Sequence, residues 1–260
     1  MPRNIMLTAL FTLVILPAFA VTAPAFTPEQ RQQIGTISRD YLLAHPEILD
    51  QMLQQRQRQR NETLLQLKRK VIALHQTLLV SHDAPQIGPP DAAVVVISFY
   101  DYRCVPCGAM STVIMQMMRD NPQVRFVFRD WPMPGEGWAS SETALAIGVA
   151  LWQQQGAGEW LRYYQSMFKE HLQAEDIAYV VRELQVAVPS QSAVTKARRV
   201  LENNSQLANK LKLGNLPTVI VMPLQRAVEE NTSVFISAVS AGELQAAIVR
   251  SARRQTSGKE

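Results

Sequence analysis

Two cysteines occur in 260 residues. They are set as Cys104-Val105-Pro106-Cys107, directly after the apolar run Ala92 to Tyr100. If a helix starts just past that run, Cys104 lies at its first turn and Cys107, three residues on, folds back beside it. Unpaired N–H groups and the positive end of the helix dipole stabilise a thiolate there, and can lower a cysteine pKa from about 8.5 to roughly 3.5 to 7.5. The pattern predicts thiol redox chemistry. Cys104 would attack a substrate disulfide, and Cys107 would resolve the mixed disulfide by attacking the Cys104 sulfur.

Other readings of the pair fit less well. A structural zinc site needs four ligands, usually two such pairs or a pair plus histidines. The chain has no other cysteine, and His45, His75, His82 and His171 show no H-x(3 to 5)-H spacing. Gly108 follows Cys107, so the C-x-x-C-H signature of covalent haem is absent. No cofactor is implied. A static disulfide stays open, although closing so short a loop removes little unfolded-state entropy. Copper(I) binding is a reading of another class: Met110, Met115, Met117 and Met118 lie near the cysteines, and thiolates with thioethers suit that ion. Helical spacing gives the same methionines a core role.

The N-terminus bears on compartment. Arg3 precedes an apolar stretch from Ile5 to Val14 and on to Ala20, with Ala18 and Ala20 flanking Phe19. Residues 1–20 therefore read as a signal peptide cleaved after Ala20 or Ala23. The apolar run is shorter than the roughly 20 residues of a spanning helix and contains Pro17. The expected product is an exported, periplasmic protein, working where disulfides persist. A net charge of +4 is too small to imply a nucleic-acid partner. Arg56, Arg58, Arg60, Lys68, Arg69 and Lys70 carry no interleaved aromatics and read as a solvated helix face.

Residues 21–83 read as a helical stalk and linker, and residues 84–260 as the redox domain. Thr27, with Pro28 and Gln30, makes a capping box for a first helix, and Pro46 interrupts it. Leu64, Leu67, Val71, Leu74 and Leu78 follow the three-and-four spacing of a coiled-coil seam. Between the apolar parts, Gln54 to Asn61 has no apolar residue and reads as a joint. The stalk is expected to oligomerise; the alternative is packing on its own redox domain. Ser81 to Asp91, rich in Pro and Gly, reads as linker. Then follow a strand, a helix over 106–121, a strand over 124–130, helices over about 139–213, strands at 218–222 and 233–239, and a last helix capped by Ser240 and Glu243. The fold class is α/β: a thioredoxin-like frame with a helical insertion, preceded by a helical oligomerisation stalk.

With these pieces in order, the chain resembles the DsbA branch of the thioredoxin superfamily. F-Y-D-Y-R-C-V-P-C (Phe99 to Cys107), F-R-D-W-P (Phe128 to Pro132) and N-L-P-T (Asn215 to Thr218) carry the likeness. The front end, S-R-D-Y-L-L-A-H-P-E-I-L (Ser38 to Leu49), is similar to the oligomeric ScsC-type disulfide isomerases linked to copper tolerance. The resemblance implies catalytic Cys104 and Cys107, a cis-proline at Pro217, and substrate contacts from Val105, Pro106, Leu216 and Pro217. It further implies misfolded disulfide-containing client proteins, a membrane redox partner that is a reductase rather than an oxidase, and a homo-oligomer, with a trimer favoured. Val105, Leu216, Trp131, Met133 and Trp138 are candidates for an apolar client rim. Relatives carry an acid six places before the first cysteine; here that place is Ser98, leaving Asp101, Glu136 or a water to do its work, with Arg103 alongside. Asn215 stands where relatives have glycine and can adopt the left-handed backbone that glycine would supply. No histidine lies between the cysteines, which points to a potential between those of thioredoxin and DsbA. A monomeric DsbA-like dithiol oxidase is the nearest rival function.

Overall fold

A computed structural model describes residues 26–256 except Glu136. The signal peptide and the Glu136 expectation lie outside the described residues. The chain divides between Arg58 and Gln59 into two compact units.

In the first unit, α1 (Pro28–Ala44) opens on the expected capping box: Gln30 N donates to Thr27 Oγ1 at 3.2 Å, and Thr27 N donates to Gln30 Oε1 at 2.8 Å. A new helix, α2 (Pro46–Leu74), begins at the expected proline. Residues 54–61 are helical, as a polar segment without a stripe to bury can be, and the division between the two compact units falls within them.

The second unit is built on a five-stranded sheet of order β1-β3-β2-β4-β5. The strands are β1 (Gln86–Ile87), β2 (Val94–Tyr100), β3 (Arg125–Asp130), β4 (Thr218–Pro223) and β5 (Ser233–Phe235). β2 runs parallel to β3 and antiparallel to β4. All seven residues of β2 are buried, as an apolar run covered on both faces must be. Side chains alternate, so Val94, Val96 and Tyr100 join Phe126, Phe128, Val219 and Val221 in one core. That face is covered by α4 (Val105–Asp120), α5 (Trp138–Gln155), α6 (Ala157–Ser166) and α9 (Ala241–Thr256), with α7 (Ala174–Glu183) and α8 (Gln191–Lys210) completing the helical insertion. Breaks between the insertion helices fall at Gly156, before Ala174 and before Gln191.

The opposite face, with Val95, Ile97, Phe99, Val127, Ile220 and Met222, is filled from two directions. The C-terminal end of α8 supplies Leu207, Ala208 and Leu211, while the end of α2 and the short α3 (Gln76–Leu79) supply Ile72 and Leu79, each fully buried. Arg129 seals this junction: its guanidinium donates to Leu78 O, Leu79 O, Ser81 Oγ, Asp83 Oδ1 and Asn204 Oδ1 at 2.7 to 3.0 Å. The compact unit that holds the sheet starts at Gln59 rather than near residue 83, and Val71, Ile72, Leu79 and Val80 pack into its second core. Of the expected seam, Val71 packs against that core, and Leu64, Leu67, Leu74 and Leu78 are exposed in the single chain. The linker reading of Ser81 to Asp91 is corrected too. Gln86 and Ile87 pair antiparallel with Val127 and Phe126, and Gly88, at φ 106°, passes so close to β3 that any Cβ would strike the Val124 carbonyl.

Candidate active site

β2 delivers the chain to the top of the sheet, where Asp101 to Cys104 turn it into α4. Cys104 is the N-cap, extended at φ −79° and ψ 103°. Cys107 N donates to Cys104 O at 2.8 Å and lies 3.2 Å from Cys104 Sγ. The sulfurs are bonded, with Cα atoms 5.1 Å apart. Pro106 sits in the first turn, where its missing N–H has no intrahelical partner to lose. Cys107 is buried at 2% exposure, Cys104 is half-buried, and Val105 and Pro106 are exposed. One sulfur is thus open to an incoming group and the other is shielded behind it. Cys104 and Leu216 both pack at the margin of the core that contains Cys107, and the Leu216–Pro217 bond is cis. Asn215 is not among the residues with positive φ, so the left-handed backbone open to it is not used. Its carbonyl instead accepts from Thr218 Oγ1 at 2.8 Å.

Asp101 is buried, with both oxygens engaged: Oδ1 accepts from Arg103 N at 2.9 Å and Ser141 Oγ at 2.5 Å, and Oδ2 from Met133 N at 2.9 Å. Arg103 leans over the same loop, donating to Met133 O at 2.7 Å. Among the rim candidates, Val105 and Trp138 are exposed and Met133 and Leu216 partly buried. Trp131 is a core residue at 7% exposure, edge-on to Phe99 with centroids 6.2 Å apart.

Ser98 is buried in β2 opposite Phe128 and Val219. Two residues along, Tyr100 lies opposite Asp130, so alternation turns Asp130 toward the face covered by α4. Asp130 is fully buried; Tyr100 Oη donates to its Oδ1 at 2.5 Å, and Oδ2 has no hydrogen-bond partner among the described residues. Burial pushes its pKa up to about 7, against the opposing pull of the Tyr100 hydrogen bond and the Arg129 charge. Burial raises the Tyr100 phenol as well, so it remains the donor. A ring cage of Tyr102, Tyr164 and Phe168 surrounds Tyr100 at centroid distances of 5.1 to 5.9 Å. A Cβ on Gly108, which follows Cys107, would sit 3.3 Å from Phe168 Cβ. The acid absent at Ser98 thus has a buried counterpart one strand over. The sequence signal was an aspartate in a buried strand, F-R-D-W-P, on the Phe128 face. Among the described residues no group of three or more His, Cys, Asp or Glu side chains could hold a metal ion.

Known proteins place this arrangement. A relative in Bacillus anthracis, described as "Probable disulfide bond formation protein D", is 26% identical over 150 residues, covering 52% of this chain and 68% of that protein. Solved structures with the same fold include BcfH of Salmonella enterica Typhimurium (TM-score 0.75, 24% identity, 86% of this chain and 96% of that one). Proteus mirabilis ScsC in a transitional conformation (TM-score 0.59, 20% identity, 88% and 100%) shares it. So does the thiol-disulfide exchange protein alpha-DsbA2 of Wolbachia pipientis (TM-score 0.59, 18% identity, 73% and 97%). The family model for the copper resistance protein ScsC N-terminal domain matches residues 30–62. The thioredoxin model matches residues 80–235, more than half of the chain, and takes in the strand–turn–helix that carries both cysteines. The chain therefore belongs to the thioredoxin family, as a thiol–disulfide oxidoreductase.

Proposed function

We propose that the protein is a periplasmic protein disulfide isomerase whose N-terminal arm gathers several redox domains. The observation that carries the reading is the half-exposed Cys104 at a helix N-cap, bonded to a shielded Cys107. In the reduced protein the cap stabilises the Cys104 thiolate. That thiolate attacks a client disulfide, forming the mixed disulfide and expelling one client thiolate. A second client thiolate then attacks the client sulfur of the mixed disulfide, forming a new client disulfide and restoring Cys104. If the client stalls, Cys107 loses its proton and attacks the Cys104 sulfur, so the pair ends oxidised and the client ends reduced by two electrons. Asp130, a buried carboxyl on the Cys107 face, is suited to exchange that proton.

The arm supports the gathering of copies. Ile34, Ile37 and Tyr41, spaced three and four apart on one face of α1, are 45%, 68% and 57% exposed in the single chain. Such a stripe is covered when copies associate, and neighbouring heads then act on one client at high effective concentration. A membrane reductase would keep the pair reduced. The apolar stretch before Ala20 and a solved likeness described as a periplasmic thioredoxin-like protein support export. A copper(I) role would need reduced cysteines, and Met110 and Met117 are already committed to the core. Equal copper(I) affinity in a Cys104→Ser, Cys107→Ser variant excludes a site at the pair.

The test is reactivation of scrambled ribonuclease A by the mature protein, by a version starting at Gln59, and by Cys104→Ala. Starting at Gln59 keeps Ile72 and Leu79 in the core. Loss of most activity without the arm, at unchanged oxidation of reduced peptides, supports the isomerase; equally poor reactivation with ready peptide oxidation points to a monomeric oxidase.

A further inference from the structure

The buried Asp101 carboxylate does more than neutralise Arg103, because it touches three separate parts of the site at once. Through Arg103 N, and through its own carbonyl accepting from Cys104 N at 3.1 Å, it holds the redox turn. Through Met133 N at 2.9 Å it holds the irregular segment 131–135. Through Ser141 Oγ at 2.5 Å it holds the first turn of α5. Arg103 completes the brace on Met133 O, and its Nη1 lies 3.3 Å from where a Cβ on Gly137 would stand; Gly137 is left-handed at φ 72°, so the loop folds closely over the guanidinium. Trp138, 45% exposed, follows immediately. Among the described residues, the hydrogen bonds that tie Met133 to the redox turn run through these two side chains.

We propose that Asp101 is a positioning residue for client binding: it fixes a wall that carries Met133 and Trp138 relative to Cys104, so that an apolar client segment flanking a cysteine is seated as its disulfide meets the Cys104 sulfur. The inference rests on the disulfide-exchange function above and adds a residue-level basis for preferring protein disulfides over small ones. A proton-transfer role for Asp101 fits poorly, since both oxygens are occupied by donors. Its loss would leave Met133 N, Arg103 N and the Ser141 hydroxyl without their acceptor, and the loop without its brace.

Two probes separate seating from chemistry. Scrambled ribonuclease A needs the wall; glutathione disulfide is too small to use it. On a Cys107→Ser background, which traps the mixed disulfide, the second-order rate constant is measured for each probe, with and without Asp101→Ala and, separately, Ser141→Ala. Ser141→Ala removes one donor and keeps the test alive if Asp101→Ala fails to fold. The expected result is that the protein-to-glutathione rate ratio falls about tenfold in Asp101→Ala. A smaller fall is expected in Ser141→Ala, and the reduction potential of the corresponding dithiol forms moves little. A merely structural role would lower both rates together. A ratio that stays the same in both variants, or that is near one in the parent, overturns the inference. No reaction of the parent with either probe overturns the exchange function itself.

Discussion

Asp130→Asn offers a quantitative test of how the buried acid is held. In the unfolded chain this carboxyl ionises near its ordinary 3.8, whereas in the folded protein burial keeps the proton on until about pH 7. Between those values the unfolded state sheds the proton first, so stability falls as pH rises, and the loss is complete once both states are ionised. At 1.36 kcal/mol per pKa unit, the gap from 3.8 to about 7 amounts to about 4 kcal/mol. Asparagine does not titrate and can still accept from Tyr100 Oη. Its amide, placed where Oδ2 has no partner, costs about 1–3 kcal/mol at every pH. The variant should therefore be less stable than the parent at pH 4 and more stable at pH 8. The difference between the two should swing by about 4 kcal/mol across that range. Other carboxylates, such as Asp83, whose pKa is lowered by Ser81 and Arg129 against its desolvation, contribute the opposite slope equally to both proteins and cancel. The assay is urea unfolding of both oxidised proteins at pH 4, 6 and 8, with m-values compared to confirm the same transition. Parallel stability profiles, separated by a constant offset, would refute the burial of a protonated Asp130.

The remaining predictions concern packing and exchange. Ile72→Ala and Leu79→Ala, at fully buried positions, should each destabilise the redox domain by about 2–5 kcal/mol. Leu67→Ala, at an exposed position, should change that domain's unfolding free energy by less than about 0.5 kcal/mol. Equal effects at buried and exposed sites would contradict the assignment of Ile72 and Leu79 to the sheet's second core. Cys107→Ser should accumulate a mixed disulfide with scrambled ribonuclease A, visible by mass, while Cys104→Ser should not; the reverse pattern would exchange the roles of the two sulfurs.

Local rules made much of this fold readable. The capping pairs Thr27 with Gln30 and Ser240 with Glu243, and the interruption at Pro46, follow from hydrogen bonds and sterics within a turn, and they appear where expected. The cysteine pair sits at a strand-to-helix junction because an apolar β-run must end before α4 can begin. What the sequence hid depends on long-range partners. Ile72 and Leu79 lie in a stretch read chiefly as stalk, and only their packing against the second face of β2 assigns them to the core. β1 is two residues long and exists through its pairing with β3, so a Pro/Gly-rich stretch gave no sign of it. Trp131 looked like part of the rim but packs edge-on to Phe99. Asp130 was visible as a residue, yet its placement on the Cys107 face follows from the register that sets it opposite Tyr100.

The central claim is that the Cys104–Cys107 bond opens and closes in function, and equilibrium with glutathione redox buffers tests it most directly. A reversible two-electron transition is expected at roughly −180 mV, between the roughly −270 mV of thioredoxin and the roughly −120 mV of DsbA, with Cys104 the thiol alkylated first after reduction. A bond that resists reduction below roughly −300 mV would mark a static structural disulfide and contradict it.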